Sequence, residues 1–232
     1  MHPSVVANWR TFNEPFEGVV SFMYQDVKGL ITIGMGNLID PIGAALGLPF
    51  RKRNKKGVAN PGTPATRAEI EAEWKLIKSK PELAKKGHRA CDPLCTLELD
   101  AAAIDRLIAA KLSSNESFLK HQPWFKDFDR WPADAQMGLL SMAWAMGPGF
   151  GAKWPRFRSA CQRQDFADTK DSAAENCKMS EAGNPGVIPR NRADKKLFEN
   201  AAAVIAGEAD HIYMRSILYY PTVLLKPITI TG

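Results

Sequence analysis

The glycine-rich segment FEGVVSFMYQDVKGLITIGMGN, residues 16–37, constrains the fold of this chain more than any other stretch. Gly29, Gly34 and Gly36 fall within eight residues and separate short apolar or β-branched runs. Runs of this kind, divided by Asp and Gly, predict a small antiparallel sheet with tight turns. Asp26 lies in the first predicted turn, and Thr32 lies on the strand that follows it.

Helical patterns flank this segment. Apolar residues at helical spacing predict an N-terminal helix over residues 4–15, which Pro15 is expected to kink or end. Thr66 and Glu69 form a capping box ahead of a second helix, and that helix should end before Pro81.

The second half of the chain is the more strongly helical. Asp100 is a candidate N-cap for the helix that follows it. Residues 133–147, ADAQMGLLSMAWAMG, are apolar on most sides, which is typical of a central buried helix. Residues 41–66, in contrast, have the pattern of a loop. The fold class predicted from these patterns is α+β, mainly α, with a small antiparallel sheet.

We expect a single domain over residues 1–232, built from two lobes. The β-containing lobe covers about residues 16–96, with a long insertion at 41–96. The helical lobe covers residues 97–232, and the N-terminal helix packs on it. A cleft between two lobes is a common place for a ligand.

The charge of the chain favours acidic partners without choosing among them. The net charge is +6 and the pI is about 9.1, which suits nucleic acid, anionic membranes or acidic wall polymers, or a surface charge that only aids solubility. No run approaches the roughly 18 to 20 apolar residues that cross a membrane. The N-terminus has no secretory signal pattern, so we expect synthesis in the cytoplasm without Sec export and no stable membrane insertion.

The four cysteines do not have the spacing of a common metal site. Cys91 and Cys95 stand in the sequence CDPLC, which lacks the two-residue spacing of a zinc knuckle, and no second compact pair follows. Cys161 and Cys177 complete the set. Disulfides are compatible with an oxidising compartment, and four cysteines allow three pairings. The expected metal content is none.

Two carboxylates in the glycine-rich segment have the character of an acid and base pair. Hydrolysis of a glycosidic bond needs one carboxylic acid for the leaving oxygen and one carboxylate at the opposite face. Glu17 falls between a helix and an apolar strand, whereas Asp26 falls in a turn open to water. A Thr32 hydroxyl on the next strand could hold the attacking water beside Asp26. The alternative is that Glu17 pairs locally and Asp26 only makes a turn.

The spacing of these residues resembles the active-site segment of the T-even phage lysozyme family. That family has the pattern E-G, Y-x-D, G and T-I-G-x-G, followed by His or Asn. The matching positions here are Glu17-Gly18, Tyr24, Asp26, Gly29, Thr32-Ile33-Gly34 and Gly36-Asn37. AQMGLLSMAWAMGPGF, FRSACQRQDFADT and NRADKKLF resemble later segments of the family. The resemblance covers roughly residues 10–40 and 97–205.

The resemblance implies a lysozyme-like fold and a muramidase that cuts peptidoglycan between N-acetylmuramic acid and N-acetylglucosamine. It implies Glu17 as the general acid, with Asp26 and Thr32 activating water, and inversion at the anomeric carbon. Gly36 and Asn37 would support this site. No organic cofactor or metal is implied.

Further residues follow from the same resemblance by position. Leu38 and Trp144 correspond to saccharide contacts, and Phe157 corresponds to a third contact with an altered side chain. The arginine that pairs with the catalytic glutamate would be Arg192. Residues 41–96 and the C-terminal tail have no counterpart in the family.

Several alternatives remain open at the level of sequence. A lytic transglycosylase needs the acid but not the water site, and an inactive wall-binding module needs neither. A nucleic-acid-binding protein would rest on the net charge and on RKRNKKG at 51–57, without a recognised motif. We expect a monomer that acts in the periplasm or cell wall on bacterial peptidoglycan and not on nucleic acid. Release as a phage endolysin and delivery as a secreted effector, with an immunity protein or fused delivery domain, are both compatible with the sequence.

Overall fold

The computed structural model describes residues 1–54, 62–167, 169–208 and 211–225. It is 56% helix and 8% strand with a small antiparallel sheet, which confirms the predicted α+β, mainly α, fold class. The chain divides into two compact units. We call Glu17–Lys111 the sheet unit, and Met1–Phe16 together with Leu112–Gly232 the helical unit.

The sheet unit begins with the antiparallel sheet predicted from the glycine-rich segment. Strands β1 (Val20–Gln25), β2 (Ile31–Gly34) and β3 (Asn37–Leu38) pair in that order. Tyr24 lies opposite Thr32 in the β1–β2 ladder. The prediction that a turn precedes the strand of Thr32 is therefore confirmed.

The insertion carries more regular structure than its sequence predicts. It holds α2 (Ile42–Leu46) and β4 (Arg51–Lys52), so the loop predicted over 41–66 is partly wrong. The helix predicted after the capping box is α3 (Arg67–Lys78). Short 3₁₀ turns at Pro81–Lys85, His88–Ala90 and Asp92–Leu94 lead to β5 (Leu97–Glu98), which pairs with β4. Part of RKRNKKG lies outside the described residues. The capping box of Thr66 and Glu69 at the start of α3 is confirmed.

Polar side chains join the insertion to the sheet. Gln25 donates its amide to the Ile77 carbonyl at 2.6 Å, and the Trp74 indole donates to the Ile39 carbonyl at 3.0 Å. Buried Glu73 accepts the backbone N–H of Thr96 at 2.6 Å within the insertion, and that of Leu97 in β5 at 3.1 Å. The insertion is thus part of the core of this unit and not an appended loop.

Helix α4 (Ala101–Lys120) begins in the sheet unit. Asp100 accepts the Ala103 N–H at 2.8 Å, which confirms its predicted capping role. Ile104 and Ile108 are buried, and the Asn37 amide donates to the Leu107 carbonyl at 3.1 Å. Because this part of α4 packs with the sheet, the boundary falls after Lys111 and not at the predicted residue 96.

The helical unit contains most of the helix. The last residue of α1 (Pro3–Glu17) belongs to the sheet unit, and this helix continues past Pro15. Of the two expected effects of Pro15, a kink or an end, the end is therefore wrong. A missing N–H close to a helix end removes only one hydrogen bond, which explains the tolerance. The other helices are α5 (Ala133–Met146), α6 (Pro155–Gln162), α7 (Ala173–Asn176) and α8 (Ile188–Ala206). Every residue of α5 from Ala133 to Trp144 is buried, as predicted for a central helix.

The described part of the tail is tied to this unit by buried polar groups. The Asp134 carboxylate accepts the backbone N–H groups of Tyr219 at 2.9 Å and Tyr220 at 3.0 Å. The Asn200 side chain donates to the Thr222 carbonyl at 2.8 Å and accepts the Leu224 N–H at 3.0 Å. The tail therefore packs as part of the helical unit.

All four cysteines are buried free thiols, so the structure contains none of the three possible pairings. Burial raises the pKa of Cys95 and that of Cys161.

Within the described residues, no helix is both long enough and apolar enough to cross a membrane.

Candidate functional site

Tyr24 identifies the neighbourhood in which the candidate catalytic residues meet. Burial raises the pKa of Tyr24 to about 12, and the negative charges of Glu17 and Asp26 add to that rise. Thr32 is the cross-strand partner of Tyr24 in the ladder. The charges of both carboxylates therefore act on the tyrosine that pairs with Thr32 in the sheet unit.

The turn after β1 fixes the position of Asp26. Its Oδ1 accepts the backbone N–H groups of Lys28 at 2.8 Å and Leu30 at 2.9 Å. Its own backbone N–H donates to the Leu30 carbonyl at 2.9 Å. Oδ2 takes no part in these bonds. Asp26 thus does shape the turn, as the alternative interpretation holds. Only Oδ1 is used for this purpose, and Oδ2 lies outside the turn.

Thr32 is buried, and its cross-strand neighbour Leu38 is exposed. Its hydroxyl donates to the Leu30 carbonyl at 3.4 Å, a long contact. A hydroxyl also has acceptor lone pairs, so Thr32 retains the capacity to accept from a water. Leu38 faces Thr32 across the β2–β3 ladder and is 54% exposed, which leaves its side chain accessible to a ligand.

Glu17 ends α1 and is exposed, not shielded by its apolar neighbours. The Glu17 carboxylate lies close to Gly36 of the sheet unit. Gly36 has φ +67°, and a Cβ there would lie 3.6 Å from Glu17 Oε2 and 3.8 Å from Lys111 Nζ. Lys111 donates to the Gly36 carbonyl at 3.0 Å. A cation and a candidate acid therefore approach the same glycine.

Asn37 has a structural part in this arrangement. Its Oδ1 accepts the Met35 N–H at 3.1 Å, and its amide donates to the Leu107 carbonyl. These bonds hold the turn between β2 and β3 against α4. Asn37 therefore supports the site by fixing the backbone around Gly36.

Two residues predicted to contact saccharide are largely core residues of the helical unit. Phe157 is 1% exposed and packs on Phe125 and Phe198, with ring centroids 6.3 and 5.5 Å away. Its ring offers no surface to a sugar, so the structure contradicts this contact. Trp144 is 5% exposed and lies 5.2 Å from the ring of Trp9. Its saccharide contact stays a prediction.

The inward arginine of α8 is Arg190 and not Arg192. Arg190 is buried and donates to Asn13 Oδ1 at 2.9 Å, whereas Arg192 is exposed. Residues two apart on a helix differ by about 200° in direction, so only one of the two can face the core. Arg192 instead lies near Glu181, whose pKa is lowered first by the Asn191 hydrogen bond and also by Arg192.

The three basic residues of the run that the structure describes, at 51–53, all form ion pairs. Arg51 pairs with Asp100 at 3.6 Å, Lys52 with Glu69 at 2.8 Å, and Arg53 with Asp92 at 2.7 Å. The hydrogen bond from Lys52 is the largest cause that lowers the pKa of Glu69, to about 2. These pairings weaken the case for a nucleic-acid surface at residues 51–53.

Sequence reasoning missed Lys111 and Arg190 as supporting residues, and it gave Tyr24 no role beyond its place in the motif. The α8 sequence contains a signal for Arg190, because Arg190, Asp194, Leu197 and Ala201 share one helical stripe and all four are buried. No comparable signal in the sequence links Lys111 to Gly36.

Across the described residues, no group of three or more His, Cys, Asp or Glu side chains could hold a metal.

Comparisons with known proteins add no family. No protein-family model matches the chain, and no curated protein matches it either.

Proposed function

We propose that the chain is a peptidoglycan muramidase with a lysozyme-like fold. The observation that carries the proposal is the grouping of Glu17 and Asp26 around Tyr24, opposite Thr32 in the ladder. Hydrolysis of a glycosidic bond with inversion requires an acid and a base carboxyl group, which Glu17 and Asp26 would supply, and the Thr32 hydroxyl could hold the attacking water. They lie in one unit of the protein, in the order and spacing of the lysozyme motif.

In the proposed reaction, Glu17 gives its carboxyl proton to the glycosidic oxygen as the bond from that oxygen to the anomeric carbon breaks. A water attacks the anomeric carbon from the opposite face and gives a proton to Asp26. The Thr32 hydroxyl orients this water. Tyr24 stays a neutral phenol, because its pKa of about 12 lies far above physiological pH.

The water site separates hydrolysis from the lytic transglycosylase alternative. A transglycosylase closes an anhydro ring on the muramic acid and has no step for Asp26 and Thr32. The backbone bonds of Asp26 hold Oδ1 and leave Oδ2 outside the turn, which suits a base. An inactive wall-binding module would need no such arrangement.

The test is digestion of purified peptidoglycan, with product masses recorded, by the parent chain, Glu17→Gln and Glu14→Gln. Glu14 is the matched control because it is an exposed glutamate of α1 that pairs with Arg10 at 3.3 Å. We expect reducing N-acetylmuramic acid ends from the parent and the control, and a loss of about 10² to 10⁴ in rate for Glu17→Gln.

The other outcomes of this digestion would reject the proposal in different ways. Anhydromuramic acid ends from the parent would establish a transglycosylase and remove the role proposed for Asp26 and Thr32. A parent chain that sediments with the wall but releases nothing would establish a binding module.

The remaining aspects of the proposal follow from the substrate. Bacterial peptidoglycan is the partner, and the cell wall or periplasm is the place of action. A monomer without organic cofactor is sufficient for this chemistry. Both endolysin release and secretion-system delivery would bring the chain to that substrate.

A further inference from the structure

Helix α8 buries two opposite charges one turn apart. Arg190 is 3% exposed and Asp194 is 0% exposed. Full burial of charged side chains is rare unless they are paired or hydrogen-bonded, because removal of a charge from water is costly. Burial of these two residues therefore costs folding free energy, and the contacts of each residue indicate what the burial achieves.

Arg190 is tied to the end of α1. One of its nitrogens, Nη1, donates to Asn13 Oδ1 at 2.9 Å, to Ser141 Oγ at 3.1 Å and to the Ser141 carbonyl at 3.3 Å. Its guanidinium also lies 4.8 Å from the ring centroid of Phe16. Asn13 and Phe16 belong to the last turn of α1, and Glu17 is the final residue of that helix.

Asp194 is less well satisfied than its partner. Neither of its carboxylate oxygens makes a hydrogen bond of normal geometry. Burial raises the pKa of Asp194 to about 7, and the Ser141 side chain and the Arg190 charge oppose that rise only in part. A buried carboxyl in this state changes its charge within the physiological pH range.

The titratable groups that interact electrostatically with Asp194 come from three parts of the unit. Arg190 lies on its own helix, Cys177 follows α7, and Tyr220 lies in the tail. Burial, and then the charge of Asp194, raise the pKa of the Cys177 thiol and of the Tyr220 phenol. Both of these groups stay neutral near pH 7, and Arg190 stays charged throughout. Asp194 is therefore the member of this cluster that titrates.

We propose that Asp194 is a positioning residue whose charge determines how Arg190 holds the last turn of α1, from which Glu17 extends. When Asp194 is protonated, the charge of Arg190 is directed to Asn13, Ser141 and the Phe16 ring. When Asp194 is ionised, it attracts the same guanidinium from one turn along α8 and competes with Asn13. The hold on α1 is then weaker.

The tests use the full chain and compare the parent with Asp194→Asn. Asp134→Asn is the matched control, because Asp134 is also a fully buried carboxylate but accepts three hydrogen bonds, from Tyr219, Tyr220 and Asn200. The first measurement is NMR of the Asn13 side-chain amide between pH 5 and pH 9. We expect a titration with a midpoint near 7 in the parent and in Asp134→Asn, and no such titration in Asp194→Asn.

A second measurement uses the parent chain alone, so it does not depend on whether a variant folds. The ¹³Cγ signal of Asp194 in the parent should titrate near pH 7, and a midpoint below pH 5 would overturn the proposal. Ser141→Ala provides a second variant, because loss of the Ser141 hydroxyl removes a group that lowers the pKa of Asp194. Its midpoint should move to higher pH, and a move to lower pH would count against the assigned contacts.

The consequence for activity rests on the proposed function. In the parent, kcat should fall about three- to tenfold as Asp194 ionises, with KM unchanged, because displacement of a catalytic group slows the chemical step. Asp194→Asn should lose this part of the pH profile. If the chain cuts nothing while Asn13 still follows Asp194, the muramidase proposal fails and the positioning stands. If the chain is active and Asn13 does not titrate, the positioning fails alone.

Discussion

The turn that bears Asp26 and the buried cluster around Arg190 are held by hydrogen bonds that span different distances along the chain. In the sheet unit, Asp26 bonds the N–H groups of residues two and four positions later. In the helical unit, Arg190 bonds Asn13 across 177 positions, and Asp134 bonds Tyr219 across 85. The candidate catalytic turn is therefore built from local contacts, whereas the support of α1 depends on contacts distant in sequence. Changes in the first should act locally, and changes in the second should affect the whole helical unit.

The strongest test of this difference compares the two arginines of α8. Arg190→Ala should lower the free energy of unfolding by about 3 to 5 kcal/mol, because it removes the buried positive charge that lies one helical turn from the buried Asp194 carboxyl. Arg192→Ala, at an exposed position of the same helix, should change it by less than about 0.5 kcal/mol. Denaturant unfolding measures both values. Equal effects would mean that the long-range cluster contributes nothing beyond an exposed arginine.

The second prediction concerns pH and the buried Asp194. Its folded-state pKa of about 7 lies above the ordinary 3.8, so the folded state binds the proton more tightly than the unfolded chain. This contribution to stability is complete below pH 3.8 and is lost as pH rises to about 7. The loss is on the order of a few kcal/mol. Thermal unfolding of the parent and of Asp194→Asn from pH 4 to pH 8 should give a difference that declines over that window and is level above it.

A smaller effect is expected at Gly36 in the sheet unit. Gly36→Ala places a Cβ at φ +67° and 3.6 Å from Glu17 Oε2, so it should cost about 1 to 2 kcal/mol from backbone strain. Because Glu17 lies beside this position, digestion of peptidoglycan should also slow. Gly87→Ala is the control, with φ +74° but no atom within 4 Å of the added Cβ. If both variants lose the same stability and only Gly36→Ala loses activity, proximity to Glu17 is the cause.

The smallest effect belongs to a wholly local contact. Thr66→Ala removes the side chain that accepts the Glu69 N–H in the capping box, and we expect a loss of about 1 kcal/mol. The change should be confined to α3, as hydrogen exchange of its amides can establish. Loss of protection across α5 would contradict the separation of local from distant effects.

The same difference explains what could be predicted from the sequence. The sequence predicted the hairpin around Asp26, the capping box at Thr66 and the buried helix α5. Each of these features depends on residues that lie close together in the chain. The orientation of Arg190 depends on Asn13 and Ser141, which no short pattern links to it. Phe157 was assigned to the site by position in a motif, but its burial depends on aromatic rings from several helices. Local chemistry was therefore predictable, and partners brought together by the fold were not.

The link from Asp134 to the tail has a consequence for synthesis on the ribosome. The carboxylate of Asp134 lies on the central helix, but the N–H groups that satisfy it belong to Tyr219 and Tyr220. Until those residues emerge, the nascent helical unit carries a buried acceptor without its donors. The sheet unit, in contrast, is continuous from Glu17 to Lys111 and needs no later residue for its own compact contacts. The nascent chain would therefore acquire the turn that bears Asp26 well before the helical unit that supports α1 is complete.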